Sequence, residues 1–278
     1  MSKILVTGAN GMLGQDLCPI LEQNGHTVIK TNSQIMDITN SADVNAEILK
    51  YLPDFVIHCA AYTNVDKAEE DFETAKLINS TGTENLAKIC AQKDIPLLYI
   101  STDYVFDGKK QTPYTPQDTP KPINNYGLTK YFGEQAVTKH CQKYFIIRTS
   151  WLYGIYGKNF VETMLSLASK SELKVVDDQT GCPTWTVELS NKITKLIDSK
   201  NYGIHHICGS GSATWYGFAK EIFKLCGLAV NIIPCSTEEF PRPAKRPAYS
   251  VLDNAGSCTD WQSTLQEYLK TRERTKNS

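Results

Sequence analysis

Three glycines spaced three residues apart follow the first apolar segment of the chain, residues 4–6. A glycine behind a strand permits a tight turn, a second lets the backbone approach a diphosphate, and a third lets the next helix pack on the strand. The N-terminus of that helix would add free N–H groups and partial positive charge. The motif predicts a site for the pyrophosphate of a dinucleotide, and a plain strand–turn–helix connection is the alternative. The predicted site consists of Gly8, Asn10, Gly11, Met12, Leu13 and Gly14.

Strand and helix patterns alternate through the first part of the chain. Apolar runs predict strands at 3–7, 26–30, 54–59, 97–101 and 144–148. Helical patterns cover 11–24, 41–52, 65–93 (with a break near 80–82) and 126–140, whereas the proline-rich segment 108–125 is predicted to be a loop. This rhythm is typical of an α/β fold with a Rossmann-like, doubly wound parallel sheet.

The rhythm becomes less regular from residue 151. Helices are expected at 159–170, 187–199, 215–226 and 260–268, and strands at 173–176, 204–207 and 231–233. We therefore expect residues 1–150 to form the dinucleotide-binding domain. Residues 151–278 are expected to form mainly a smaller substrate-binding lobe, with some segments returning to the main sheet. The basic segment 270–276 is interpreted as a solvated tail.

Composition limits the class of partner. The formal net charge of −1 provides no field for nucleic acid or an anionic membrane, so we expect neither as a partner. The nine cysteines form no CxxC pair and the five histidines show no ligand spacing, which predicts buried thiols in a reducing compartment and no metal site. We see no signal peptide and no apolar run approaching the ~20 residues of a membrane span. A cytoplasmic protein is expected.

Tyr126 and Lys130 lie four residues apart in a helical pattern, so both would project from one helix face. Tyrosine is a poor acid at neutral pH, and an adjacent ammonium would lower its pKa. Thr102 follows a predicted strand at the sheet edge where ligands of such folds bind, and it could hydrogen-bond both a substrate carbonyl and Tyr126. The three residues predict proton transfer to a carbonyl reduced by a nicotinamide. An unrelated surface pair, and simple capping of the strand end by Thr102, are the alternatives.

The end of the second predicted strand indicates which nicotinamide cofactor the chain uses. NAD-selective sites place a carboxylate there to bind the ribose hydroxyls, but this chain has Lys30 and Thr31. Lys30 would attract a 2′-phosphate, which favours NADPH, with NADH as the alternative. Asp37 and Ile38 come a little later and could flank the adenosine, although Asp37 could also cap the approach to a helix.

Five further segments carry a resemblance to a known family. They read CAAYTNVDKAE (59–69), STDYVFDG (101–108), RTSWLYG (148–154), DQTGCPT (178–184) and RPAYSVLDN (246–254). Together with the glycine motif and the Tyr–Lys pair, they resemble the dTDP-4-dehydrorhamnose reductases of the extended short-chain dehydrogenase/reductase superfamily. The resemblance spans nearly the whole chain. It implies NADPH-dependent reduction of the 4-keto group of dTDP-4-dehydro-L-rhamnose.

The resemblance also implies roles for individual residues. Gly11, Met12 and Leu13 would meet the pyrophosphate, and Asp37 and Ile38 the adenosine. Trp151 could cover the apolar face of a deoxysugar with its flat ring. Arg246, in a loop with three prolines, carries the guanidinium that suits a nucleotide diphosphate. The remaining family positions are Ala60, Ala61 and Tyr62 on the cofactor side, and Thr63, Val65, Thr102, Asp103 and Tyr104 on the sugar side. Asn159, at the start of a predicted helix, could also approach the ligand.

The chain departs from the family at one position. Some members bind Mg²⁺ at a dimer interface through acidic residues, one of them early in the first helix. Here Gln15 comes directly after the glycine motif, and Asp16 is next. This argues against Mg²⁺ and against that dimer in this chain, so monomer and homodimer both stay open.

Three other functions compete with this interpretation. A sugar-nucleotide dehydratase would resemble Thr-Asp-Glu at the active strand, whereas Tyr104 comes after Thr102 and Asp103 here. A reductase of another dTDP-4-keto-6-deoxy sugar would differ by a few pocket contacts only. A non-catalytic, NADP-binding regulatory subunit can use the same fold, as relatives of this family do for methionine adenosyltransferase. The intact Thr102, Tyr126 and Lys130 argue against that third function.

Overall fold

A computed structural model describes residues 1–276, and its longer strands coincide with the apolar runs of the sequence. Ile4, Leu5 and Val6 of the first strand are fully buried, as expected for a strand covered on both faces. The strands are β1 (Lys3–Thr7), β2 (Thr27–Lys30), β3 (Phe55–His58), β4 (Leu97–Thr102), β5 (Tyr144–Thr149), β6 (Leu152–Tyr153), β7 (Leu173–Val176), β8 (Thr180–Gly181), β9 (Thr184–Trp185), β10 (Gly203–His206), β11 (Ala213–Thr214) and β12 (Ile232–Cys235).

Side-chain caps begin several of the helices, as the asparagines and threonines of the sequence suggest. Asn40, Asn124, Asn159 and Thr214 each accept a backbone N–H from the first turn of the adjoining helix. The helices are α1 (Met12–Gln23), α2 (Ser41–Tyr51), α3 (Lys67–Glu70), α4 (Phe72–Lys76), α5 (Thr83–Gln92), α6 (Asn125–His140), α7 (Phe160–Ser166), α8 (Thr186–Ser199), α9 (Trp215–Leu225) and α10 (Trp261–Lys276).

Six parallel strands form the central sheet in the order β10-β5-β4-β3-β1-β2. One face packs against α1 and α8, with Leu17 and Ile193 in the shared core. The other face packs against α2, α5 and α6. The predicted α/β fold with a doubly wound parallel sheet is confirmed. β10 lies in the second half of the chain and pairs with β5, so that half does return a strand to the main sheet.

The second half of the chain also builds a core of its own. Helices α7, α9 and α10 bury Val161, Phe218 and Leu265 in one cluster. Three two-stranded sheets pair β11 with β8, β12 with β7, and β6 with β9. Four of these six strands, β6, β8, β9 and β11, are only two residues long. Periodicity did not predict these four because two residues are too few to show a pattern.

Two predicted elements differ from the structure. The long helix expected over 65–93 is divided into α3, α4, a π-helical turn (Leu77–Gly82) and α5. The segment 270–276, interpreted as a solvated tail, is mostly exposed through residue 275 but continues α10. Glu162 of α7 forms an ion pair with Arg272 that fixes this helix to the lobe. Within residues 1–276, no helix is long and apolar enough to cross a membrane.

Candidate active site

A cleft of about 920 Å³ runs along the carboxyl ends of the central strands. Residues at or just beyond the strand ends line it, including Thr7 of β1, Cys59 after β3 and Thr102 of β4. This edge is where ligands bind in open α/β sheets. Trp151 and Trp215 line the same cleft, so both halves of the chain contribute to its wall.

The glycine motif forms one end of the cleft, and its geometry excludes side chains. Gly8 adopts a φ of +64°, and a Cβ there would lie 2.7 Å from the backbone N of Ala60. A Cβ on Gly14 would lie 2.5 Å from the backbone O of Gly8. Gly11 precedes the first turn of α1 and lines the cleft with Met12 and Leu13. This cradle and helix N-terminus fit a dinucleotide pyrophosphate. Asn10 is exposed and does not line the cleft.

The end of the cleft beyond β2 includes Asp37 and Ile38, both of which line it as expected. The Asp37 carboxylate also accepts hydrogen bonds from the backbone N and the hydroxyl of Thr39, at 2.9 and 2.8 Å, so it stabilises the turn before α2. Asn32 and Ser33 line this end too, and sequence analysis missed them. Their polar side chains, directly after β2, were the signal that could have found them.

Lys30 does not lie in the cleft, and this corrects its sequence-based placement. Its ammonium forms a 2.8 Å ion pair with Glu22 of α1, on the outer surface, and the side chain is 48% exposed. Successive residues of a strand point to opposite faces, so the side chain that ends β2 turns outward while Thr31 turns inward. The structure therefore provides no 2′-phosphate contact from Lys30.

The segment after β3 brings Ala60, Ala61, Thr63 and Val65 to the cleft, as the resemblance implied. Tyr62 does not line it. The backbone of Tyr62 is instead fixed by Asn79, whose side-chain oxygen accepts from the Tyr62 N–H at 2.8 Å and whose amide donates to the Tyr62 carbonyl at 3.0 Å. Asn79 lies in the π-helical turn, so this irregular helix holds one wall of the cleft.

Tyr126 and Lys130 both project from α6 into the cleft, as the four-residue spacing predicted. Asn124 caps the helix by accepting the Gly127 N–H at 2.7 Å. A Cβ on Gly127 would lie 2.1 Å from the carbonyl oxygen of Tyr104, so only glycine allows the first turn to pack this closely. The Lys130 ammonium lies 4.1 Å from the centre of the Tyr99 ring, which attracts a cation through its π face.

Burial controls the protonation of this pair. It raises the pKa of Tyr126 to about 12, although a polar contact with the Thr102 hydroxyl opposes the shift. The expected lowering of the tyrosine pKa by Lys130 is not found, because burial also lowers the pKa of Lys130 to about 7. Glu134, one turn further along α6, counteracts that shift. Tyr126 is therefore a neutral phenol, the form that donates a proton.

Thr102, Asp103 and Tyr104 form the part of the wall opposite α6. The Thr102 hydroxyl donates to Asp103 Oδ1 at 3.0 Å and accepts from the Tyr104 backbone N at 3.2 Å. The rings of Tyr104 and Tyr126 meet edge to face, with centroids 6.0 Å apart. Two buried oxygens of residues that line the cleft, Asp103 Oδ2 and Thr149 Oγ1, have no hydrogen-bond partner within the described part of the chain. Such atoms suit a polar ligand.

Trp151 provides the apolar wall of the cleft, and a second tryptophan supports it. The indole rings of Trp151 and Trp215 stack with centroids 3.4 Å apart and an angle of 4° between their planes. Trp151 has a φ of +47°, a conformation that residues other than glycine rarely adopt. Trp215 also donates from its indole N–H to Gln179 at 3.1 Å. No sequence pattern indicated this pairing, because the two residues lie 64 positions apart.

Two residues expected at the substrate lie outside the cleft. Asn159 caps α7 and donates to the Gly154 carbonyl at 2.8 Å, so its side chain is used in folding. Arg246 binds both carboxylate oxygens of Asp66, at 2.5 and 2.9 Å, and fixes its loop to the segment after β3. Asp66 and Arg246 therefore satisfy each other's charges within the protein. The proximity of Arg246 to Tyr104 still leaves it next to the cleft.

A dinucleotide cradle beside a buried Tyr–Lys pair, on a doubly wound parallel sheet, defines a nicotinamide-dependent oxidoreductase of the Rossmann type. Comparison with known proteins narrows this class. A sequence-family model described as the RmlD substrate binding domain matches residues 2–274. The chain is 42% identical over 279 residues to the spore coat polysaccharide biosynthesis protein SpsK of Bacillus subtilis, covering 98% of each.

Solved structures agree with the family match. A dTDP-4-dehydrorhamnose reductase of Clostridium acetobutylicum superposes with a TM-score of 0.95 at 46% identity, covering 98% of this chain and 99% of that one. The Bacillus anthracis dTDP-4-dehydrorhamnose reductase, solved in complex with NADP, gives a TM-score of 0.95 at 41% identity, covering 97% and 99%. The chain belongs to the dTDP-4-dehydrorhamnose reductase family.

Proposed function

We propose that this protein reduces the 4-keto group of dTDP-4-dehydro-L-rhamnose with NADPH and forms dTDP-L-rhamnose, the last step of dTDP-rhamnose biosynthesis. The observation that carries the proposal is the convergence of the glycine cradle, Tyr126, Lys130 and Thr102 in one cleft. A reductase needs a proton donor beside the hydride path, and the neutral phenol of Tyr126 meets that need.

Each of the residues in the cleft would have a separate role in the reaction. NADPH would supply a hydride to the sugar C4. Tyr126 would donate its phenolic proton to the oxygen at C4, and Thr102 would hydrogen-bond the same oxygen. Lys130 would hold the nicotinamide ribose and stabilise the phenolate as it forms. Met12 and Leu13, which begin α1, would present backbone N–H groups to the pyrophosphate.

The residues directly after β2 support the NADPH preference. A carboxylate directly after β2 would repel a 2′-phosphate. Among the residues that line the cleft there, Asn32 and Ser33 occupy this place and neither is acidic. A hydroxyl and free backbone N–H groups can receive a phosphate without a cation. NADP in the Bacillus anthracis relative is consistent with this choice. NADH stays the alternative, and Mg²⁺ has no part in the proposed chemistry.

The sugar would lie between the Thr102–Tyr104 wall and the ring of Trp151. An indole face suits the apolar side of a deoxysugar, while the Asp103 carboxylate suits its hydroxyls. We assign residues 1–150 to cofactor binding and 151–278 mainly to substrate binding, in a monomer or a homodimer. The nine cysteines are free thiols, which supports a reducing compartment and hence a cytoplasmic location.

Incubating the purified protein with dTDP-4-dehydrorhamnose and NADPH, and identifying the sugar nucleotide formed, tests the proposal. We expect loss of NADPH absorbance and stoichiometric dTDP-L-rhamnose. Faster turnover of a different dTDP-4-keto-6-deoxy sugar would identify that sugar nucleotide, and not dTDP-4-dehydrorhamnose, as the substrate. Tight NADP binding without turnover of any 4-keto sugar nucleotide would contradict the enzyme and favour a regulatory subunit.

A further inference from the structure

We propose that Asp103 is the internal proton donor that resupplies Tyr126 through the Thr102 hydroxyl during hydride transfer. This inference rests on the proposed reductase activity, and it assigns Asp103 a catalytic role besides contact with the sugar. Three side chains from β4, the turn after β4 and the start of α6 would act as one chain of hydrogen bonds.

The Asp103 carboxyl lies at one end of this chain. The residue is 2% exposed, yet it lines the cleft. Its Oδ1 accepts the Thr102 hydroxyl at 3.0 Å, whereas its Oδ2 is buried and has no hydrogen-bond partner within residues 1–276. A carboxylate buried with one oxygen unpaired is costly, because the Thr102 hydroxyl and the nearby Ser250 hydroxyl replace only part of the hydration that the charge loses. A proton on this carboxyl relieves that cost.

Thr102 is the link between the carboxyl and the phenol. Its hydroxyl has one proton, which it donates to Asp103 Oδ1, and it is near enough to Tyr126 to oppose the rise in the pKa of that phenol. When Asp103 is ionised, Thr102 donates to it. When Asp103 is protonated, the carboxyl can donate to Thr102, and the Thr102 proton becomes free to point at Tyr126. The protonation of Asp103 therefore decides whether Tyr126 receives a hydrogen bond as its own proton leaves.

The surroundings of Asp103 keep the pKa of its carboxyl near neutral pH, where it can both hold and release a proton. Burial raises the pKa of Asp103 to about 7, while the hydroxyls of Ser250 and Thr102 oppose the shift. Among the described residues, two phenols and two thiols respond to the charge of Asp103, and none of these four groups is a cation that would hold the carboxylate ionised. They are Tyr104 on its own segment, Tyr126 on α6, Cys182 between β8 and β9, and Cys208 after β10.

The proton balance of the step closes. The sugar C4 gains a hydride, and the electron pair of the C=O π bond moves to oxygen, which takes the Tyr126 proton. The Thr102 O–H bond breaks as its proton moves to Tyr126, and the Asp103 O–H bond breaks as its proton moves to Thr102. Tyr126 and Thr102 end as they began, and Asp103 ends as a carboxylate. Solvent reprotonates Asp103 after the product leaves the open cleft.

Asp103→Asn tests the role, because the amide keeps the shape and hydrogen-bonding capacity of the side chain but cannot release a proton at these pH values. The measurement is the single-turnover rate of NADPH oxidation with saturating dTDP-4-dehydrorhamnose, from about pH 6 to about pH 9. We expect the wild-type rate to exceed the variant rate by about tenfold at the acid end. The ratio should approach one at the alkaline end, where Asp103 is ionised in the wild type.

The ratio of the wild-type rate to the Asp103→Asn rate is the decisive quantity. Lys130 titrates in both proteins, so its effect on the two rates cancels in the ratio. Thr102→Val removes the link and also the proposed hydrogen bond to the C4 oxygen, so the ratio of wild-type to variant rate should show the same pH dependence on top of a constant loss. Thr102→Ser should restore the wild-type profile. Asp103→Asn should add no further pH dependence in the Thr102→Val background. Asp107→Asn is the matched control, since its carboxylate accepts from Tyr114 at 3.0 Å outside the cleft. It should match the wild-type profile.

A ratio that is the same at every pH, or loss of all activity at every pH in both Asp103→Asn and Thr102→Val, would overturn the proton-donor role. Either result would leave Asp103 with a structural or sugar-binding role only. These outcomes differ from failure of the proposed function, in which the wild-type protein itself does not oxidise NADPH with any 4-keto sugar nucleotide.

Discussion

Burial, more than charge, sets the chemistry of the two side chains at the centre of the cleft. The pKa values of Tyr126 and Lys130 shift in opposite directions because each side chain loses the hydration of its charged form. The phenol is therefore neutral at physiological pH, and the lysine loses its proton more readily than a solvated lysine does. A bound cofactor with its phosphate charges would favour the protonated lysine.

Tyr126→Phe is expected to reduce turnover by roughly 10²-fold or more, the scale of general acid catalysis, and to leave NADPH affinity almost unchanged. Phenylalanine preserves the edge-to-face contact with Tyr104 and removes only the hydroxyl with its proton. Steady-state turnover and a fluorescence titration of NADPH measure the two effects. A variant as fast as the wild type would show that another group protonates the sugar.

The cofactor preference should depend on Ser33 and not on Lys30. Ser33→Asp would place a carboxylate at the end of the cleft beyond β2 and repel a 2′-phosphate, so we expect the preference for NADPH over NADH to fall by at least about tenfold. Lys30→Ala serves as the control, because Lys30 binds Glu22 outside the cleft. The ratio of kcat/KM for the two cofactors is the measurement. A large effect of Lys30→Ala with none of Ser33→Asp would reverse this assignment.

At the level of elements, the position of α6 over the sheet is fixed by a buried ionic cluster. Arg148 of β5 binds both carboxylate oxygens of Glu134 on α6, at 2.9 and 2.7 Å, and Ser101 of β4 donates to the same carboxylate at 2.6 Å. Arg148 is 1% exposed and lies over the Phe106 ring. The helix that carries Tyr126 and Lys130 is thus attached to two neighbouring strands that border the cleft.

Arg148→Met should lower the free energy of unfolding by about 3–5 kcal/mol, because it leaves the Glu134 carboxylate buried without a counter-charge. Urea unfolding monitored by circular dichroism measures the loss. The double variant Arg148→Met with Glu134→Gln should recover part of it, since no uncompensated charge then remains. A single variant within about 1 kcal/mol of the wild type would show that Glu134 is paired elsewhere.

At the level of the whole molecule, a buried histidine where the two halves of the chain meet makes the stability of the fold depend on pH. His206 ends β10, the strand that the second half contributes to the central sheet. Neither ring nitrogen has a hydrogen-bond partner in residues 1–276, and burial next to Arg148 lowers the pKa of His206 to about 4. The unfolded chain binds a proton at this residue below about pH 6.5, whereas the folded protein resists it until about pH 4. Stability contributed here is therefore lost as pH falls through that window.

His206→Leu should reduce the drop in unfolding free energy between pH 7.5 and pH 5, because leucine fills the site without binding a proton. The difference between the wild-type and variant drops is expected to be on the order of 1–2 kcal/mol. Urea unfolding at about these two pH values measures it. His205→Gln, on the same strand, is the control, and an equal drop in the wild type and in His206→Leu would contradict the assignment.

The sequence by itself determined the features that depend on neighbours along the chain. The glycine spacing, the strand–helix alternation and the four-residue separation of Tyr126 and Lys130 are local. The structure places them as expected, except that the helix predicted over 65–93 is divided into shorter helices. Local steric rules and the periods of helix and strand are enough to predict such features.

Only the tertiary structure decided what depends on partners distant in the chain. Lys30 pairs with Glu22, Arg246 pairs with Asp66, and Trp215 stacks on Trp151 because folding brings those residues together. The pKa values in the cleft likewise come from burial, which is a property of the packed molecule and not of a motif. The type of a residue limits the interactions that its side chain can make. The packing around the side chain in the folded protein determines which of these interactions form.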